Sequence, residues 1–223
     1  MPLLSASTFS STWLALSVVS ACVVAWDVTV GGHRQKMAIM AVVWPLTMLY
    51  WGPVGLALYF SFGRQQQRAI AHIQQDEPPM WRAAFLGATH CGAGCALGDF
   101  IGEWLAFWLG WSIGGSALAA KLAVAFTLAY FIGIVFQYFS IAPMRGLDLR
   151  AGIIAAIKAD TLSLLAYEIG MFGAMIAFAE LASPLDPTDP TYWVRMQVAM
   201  IAGFVTTYPV NWWLIRRGTK EKM

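Results

Sequence analysis

Fifteen residues near the middle of the chain, Thr89 to Glu103, concentrate groups that can do chemistry. Thr89-His90-Cys91-Gly92-Ala93-Gly94-Cys95 runs on to Asp99 and Glu103, in a segment otherwise apolar enough to lie in a bilayer. Ionisable groups are costly inside a membrane, and each is by default a functional-site hypothesis. Two ligands at i and i+4 of a helix can converge on one ion from a single face. Soft thiolate and thioether ligands select copper(I) or zinc, whereas carboxylates suit harder ions. Cys91, Cys95 and a methionine such as Met171 would make a soft metal site, with Asp99 beside it. Glu103, Asp160 and Glu168 would carry protons or a harder cation.

On a regular helix Cys91, Cys95, Asp99 and Glu103 form one drifting stripe, because each step of four overshoots a turn by about 40°. Gly94, Gly98 and Gly102 form an adjoining stripe, a repeated small-xxx-small pattern that lets another helix approach closely. His90 lies about 100° from Cys91 and falls on that glycine side. It would join the same ion only if the helix opened at Gly92 and Gly94, as broken helices do in transporters. Otherwise it serves as an outer hydrogen-bonding group.

Composition says what must position these residues. Of 223 residues 59% are hydrophobic and only 12% charged, about half the charged share of a soluble domain. The net charge of +2 is too small to argue for nucleic acid. Six apolar runs have the roughly 20 residues a span needs: Thr8–Val30, Met37–Phe62, Ala83–Gly110, Ala117–Ile141, Ala151–Ala179 and Tyr192–Ile215. The fold class is therefore all-α, a polytopic transmembrane bundle of about six helices in one domain over residues 1–223, with residues 83–215 as its motif-bearing core. With six spans, Arg64, Arg68, Arg82, Arg145, Arg150, Arg216, Arg217, Lys220 and Lys222 share one side, against Arg34, Lys36, Lys121 and Arg195. The positive-inside rule then puts both termini in the cytoplasm. No basic residue precedes the first apolar run, so no cleavable signal peptide is expected.

The fifth run carries Asp160, Thr161, Ser163, Tyr167, Glu168, Met171 and Met175. At 1.5 Å per residue, Cys91 and Asp160 lie roughly 12–14 Å along their helices, and Asp99 and Glu168 roughly 24–26 Å. The sixth run adds Thr206, Thr207, Tyr208, Pro209 and Asn211, where Pro209 frees backbone groups for those side chains to satisfy. Cys22 reads as packing, and His33 and His72 as solvated loop residues. Asp27 and Glu180, near helix ends, need no special role. A disulfide between Cys91 and Cys95 is disfavoured on a regular helix: the Cβ atoms stand about 5–6 Å apart, and a disulfide wants about 3.8 Å.

These residues resemble a family of bacterial inner-membrane proteins known only as a domain of unknown function. The resemblance rests on Thr89-His90-Cys91-Gly92-Ala93-Gly94-Cys95, Gly98-Asp99, Gly102-Glu103-Trp104, Asp160–Ser163, Glu168–Met171 and Tyr208–Trp213, and on Trp44–Thr47 and Tyr50–Pro53. It extends over roughly residues 38–222 and implies a bacterial, multi-pass inner-membrane protein. The ligand chemistry itself points to binding and transport of a copper or zinc ion, without a catalytic residue set. Membrane thiol or quinone redox chemistry and proton-coupled transport of another small solute remain alternatives. The partners expected are lipid and the metal ion, with a homo-oligomer or a partner subunit open.

Overall fold

The computed structural model describes residues 2–35, 37–64 and 78–222. Lys36, Arg68 and His72, used in the loop readings above, lie outside them. Among the described residues there are six helices and no strand: α1 Pro2–Thr29, α2 Met40–Leu58 with a π-helical extension Tyr59–Gly63, α3 Met80–Leu109, α4 Ala117–Arg145, α5 Leu149–Leu181 and α6 Pro190–Arg216. Five of them, α1, extended α2, α4, α5 and α6, are long and apolar enough to cross a membrane. α3 has the length, 30 residues, but its polar motif lowers its apolarity. Ser116, Asp148 and Asp189 cap the starts of α4, α5 and α6 by accepting backbone N–H bonds, which fixes where those helices begin.

α2 is not a straight span. Gly52 adopts φ 55° and ψ −142° inside it, immediately before Pro53. A Cβ on Gly63 would come within 2.3 Å of the Trp44 ring, and the Trp44 and Tyr59 rings lie 5.2 Å apart. In a continuous helix residues 44 and 63 would be roughly 28 Å apart. The chain therefore runs in, reverses at Gly52 and returns to the face it left. Non-helical backbone at membrane depth is tolerated where protein buries it. Here Gln197 Nε2 donates to the Leu49 carbonyl at 2.6 Å and Trp13 Nε1 donates to Gln197 Oε1 at 2.8 Å, pinning the tip between α1 and α6.

The contacts at the two ends of the bundle settle its connectivity. Arg64, just past the hairpin, donates to both Asp27 oxygens near the end of α1 at 3.0 and 2.7 Å, and Tyr59 donates to the same carboxylate at 2.8 Å. Arg82 at the start of α3 donates to the Phe62 carbonyl at 2.5 Å. At the opposite end Ser10 meets Thr191 at 3.4 Å, joining the starts of α1 and α6. Asp27 thus ties the end of α1 to the returning arm of the hairpin, a role that its place near a helix end did not suggest.

This corrects the expectation that both termini are cytoplasmic. The chain runs the length of the bundle five times, through α1, α3, α4, α5 and α6, and its described ends lie at opposite ends of the bundle. Hydropathy alone counts residues 37–62 as a crossing, but Gly52-Pro53 reverses the direction. Arg34 joins Arg64, Arg82, Arg145, Arg150, Arg216, Arg217, Lys220 and Lys222 on one basic face, leaving Lys121 and Arg195 near the other. The charge asymmetry is sharper than six crossings would give.

A labelling experiment separates the two topologies. With Cys22 replaced by serine, R34C and T219C are expected to react with a membrane-impermeant maleimide from the same side, and I113C from the other. Six crossings would group R34C with I113C.

α3 occupies the centre, between α4, α5, α6 and the hairpin. Gly94, Gly98 and Gly102 face Gly133, Ala129 and Ala125 of α4; a Cβ on them would stand 3.1, 2.3 and 2.8 Å from backbone atoms of those residues. Small residues on both helices bring the backbones together, and this close seam turns the stripe of thiols and carboxylates inward.

Candidate functional site

His90, Cys91, Cys95, Asp99 and Glu103 are all buried, as are Asp160, Glu168 and Met171. Cys91 and Cys95 carry free thiols and share one core cluster with Met171, Met196 and Met200, bounded by Tyr50 of the hairpin tip and Tyr167 of α5. α3 runs unbroken through this region, so it does not open at Gly92 and Gly94. The reason lies in packing: a Cβ on Gly92 would stand 2.7 Å from Tyr50 Oη and 3.0 Å from the Tyr167 ring. Gly92 serves close approach of the hairpin, not unwinding. His90 therefore stays off the thiol face, with its ring 6.2 Å from that of Phe136 on α4.

One helical turn further along, Asp99 of α3 and Glu168 of α5 interact electrostatically, and Glu103 adds to the same field. Cys95 lies within interaction range of Glu168. Among the described residues the Asp99 carboxyl oxygens have no hydrogen-bond partner, and Glu168 has only the Cys95 thiol beside it. Two buried carboxyls within reach of each other and without a paired cation are an unfavourable arrangement on structural grounds alone, because buried charge needs pairing. Glu103 does not lie free at an interface. It accepts from the Tyr192 hydroxyl of α6 and pairs with Lys121 Nζ of α4 at 3.4 Å. Beyond it a cavity of about 230 Å³ lies between α4, α5 and α6, with Lys121, Tyr192, Met175 and Met196 among its walls.

Asp160 lies apart from the thiols. Its Oδ1 accepts from Lys220 Nζ at 2.9 Å and from Ser163 Oγ at 2.9 Å. Lys220 is buried despite its place beyond α6. The alignment of Asp99 with Glu168 thus corresponds to proximity, while Asp160 finds its partner in the chain's last residues. On α6, Thr207 donates to the Ser163 carbonyl at 2.6 Å and Thr206 to the Ala166 carbonyl at 2.6 Å, stitching α5 to α6 above Pro209. Asn211 donates back to Thr207 at 3.0 Å.

The interior holds a polar line from one face to the other: Lys220 with Asp160, then the Cys91 and Cys95 thiols, then Glu168 with Asp99, then Glu103 with Tyr192 and Lys121, with Tyr50, Met171, Met196 and Met200 packed in the same core as the thiols. Sequence reading did not assign Tyr50, Lys121, Tyr192, Met196, Met200 or Lys220 to it. Gly218 after Arg216-Arg217 was the available signal for Lys220, since a glycine there lets the chain turn back on the helix end. Among the described residues no three of His, Cys, Asp and Glu gather as a metal-holding group. A metal here would rest on the two thiols and neighbouring thioethers.

A family model described as a domain of unknown function, DUF4396, matches residues 80–220. The chain belongs to this family. The match begins at the first residue of α3 and ends on Lys220, so it takes in the whole polar line except Tyr50. It does not extend to residue 38 as the resemblance suggested; α1 and the re-entrant hairpin lie outside it. No curated protein and no solved structure matches the chain.

Proposed function

We propose that this multi-pass membrane protein binds a soft transition-metal ion, copper(I) being the better match and zinc the lesser, and passes it along the polar line through the bundle. The observation that supports the reading is the Cys91 and Cys95 thiol pair, buried in one apolar core with Met171, Met196 and Met200, beside the Asp99 and Glu168 carboxyls, which no cation pairs among the described residues. Thioethers and thiolates favour copper(I), and a bound cation would give those carboxyls the counter-charge they lack. Thiols must lose protons to bind metal, and Glu168 stands next to Cys95 to receive them. The basic face would be cytoplasmic by the positive-inside rule, in the inner membrane of a bacterium.

Proton-coupled movement of another solute is the second reading. Polar groups reaching both faces, through Asp160 and Lys220 at one end and Glu103 and Tyr192 at the other, favour it. The two separate on metal content. Protein purified under reducing conditions with copper supplied is expected to retain about one copper per chain, and the C91S/C95S double variant less than a tenth of that. Equal and substoichiometric copper in both would remove the metal and leave the proton reading.

A further inference from the structure

The ammonium group of Lys220 is buried inside the bundle. Asp160 and Ser163, both on α5, hold it at 2.9 and 3.2 Å. Around them lie buried polar atoms that find no hydrogen-bond partner among the described residues: Asp160 Oδ2, both side-chain polar atoms of Gln137 on α4, and Asn211 Oδ1 on α6. His90 is within electrostatic reach of both Asp160 and Lys220. Four helices thus contribute polar groups around one buried positive charge.

That charge arrives on a short segment. α6 ends at Arg216, Gly218 turns the chain with φ 69°, and the Thr219 and Lys220 amides both donate to the Leu214 carbonyl at 3.0 and 3.4 Å. On the surface Arg145 Nε donates to Glu221 at 2.8 Å. Lysine is almost never fully buried unless paired, here with Asp160, and its ammonium is a compact point charge on a flexible stem, close in kind to a free monovalent cation. Withdrawing it breaks a few bonds beyond α6 and unwinds no helix.

We propose that the Asp160–Ser163 pocket is a monovalent-cation site and that Lys220 is its tethered occupant. A potassium or ammonium ion, similar in charge and size to the group it replaces, takes the pocket from the basic face when the segment after α6 moves out. The site stands whether or not the thiols hold a metal.

Chemical rescue tests it. In K220A the pocket is vacated, and potassium or ammonium chloride, compared with choline chloride at equal ionic strength, is expected to raise the melting temperature by about 3 °C or more, a shift of order one kcal/mol for a chain of this length. Wild type, K220M (whose side chain refills the pocket) and K220A/D160N are expected to show no such difference. If K220A does not survive purification, the comparison is made on solubilised membranes. Recovery of a monodisperse peak when ammonium replaces choline during extraction supports the site. Failure of either cation to distinguish K220A from K220A/D160N overturns it.

Discussion

Leucine at Gly98 is expected to abolish correct assembly of the bundle. A Cβ there would lie 2.3 Å from the Ala129 amide nitrogen and 2.4 Å from its Cα, so the obstacle is backbone and no side-chain rotation relieves it. Overpacking a core costs about 1–3 kcal/mol where side chains can shift. Here α3 and α4 must part along their whole seam, and the loss should exceed about 3 kcal/mol, against a total stability of about 5–15 kcal/mol. Any surviving fraction is expected to melt at least about 6 °C lower. G173A is the matched control, since nothing lies within 4 Å of a Cβ at that glycine of α5. It should be as stable as wild type or more so, by up to about 1 kcal/mol, because alanine suits a helix interior better than glycine. Gel filtration in detergent and thermal unfolding read both variants, and a G98L protein that behaves like G173A would deny the seam its structural role.

Neutralising Asp99 or Glu168 is expected to do the opposite to stability. These two like groups lie within electrostatic reach of each other in the interior, with no cation paired to them among the described residues, and an amide in place of one removes the mutual repulsion of two carboxylates sharing a site. D99N and E168Q should therefore melt a few degrees higher in the absence of metal, at about 2–4 °C per kcal/mol. Both should lose at least tenfold in cation flux, because the neutral amide neither balances a cation nor accepts a proton. Higher stability with lower flux is the signature of a functional charge retained at structural expense. A purely structural pair would give unchanged flux.

The bundle was legible because its apolar runs and glycine turns agree with one another. The structure adds Ser116, Asp148 and Asp189 as the acceptors that cap three helix starts. The central stripe was legible too, since four-residue spacing puts Cys91, Cys95 and Asp99 on one side of any regular helix. What escaped were features set by tertiary contact. The reversal at Gly52 looks in sequence like one more glycine before a proline within a long apolar run; only the packing of Trp44 against Gly63 shows that the run folds back. Gly92 and Gly94 read as licence to unwind, whereas Tyr50, some forty residues earlier in sequence, needs the space over Gly92. Lys220 looked like one more interfacial cation, because nothing local says that a side chain beyond a helix end will enter the bundle. In each case the deciding partner lies far along the chain, beyond the reach of periodicity.

The most direct test of cation passage is flux in sealed proteoliposomes containing purified protein, with copper(I) kept reduced and soluble outside and a copper-responsive dye within. Wild type and G173A are expected to show saturable uptake above protein-free liposomes, with D99N at least tenfold slower and C91S/C95S near background. Uptake by C91S/C95S and D99N equal to wild type, or wild-type uptake no greater than that of protein-free liposomes, would contradict the account.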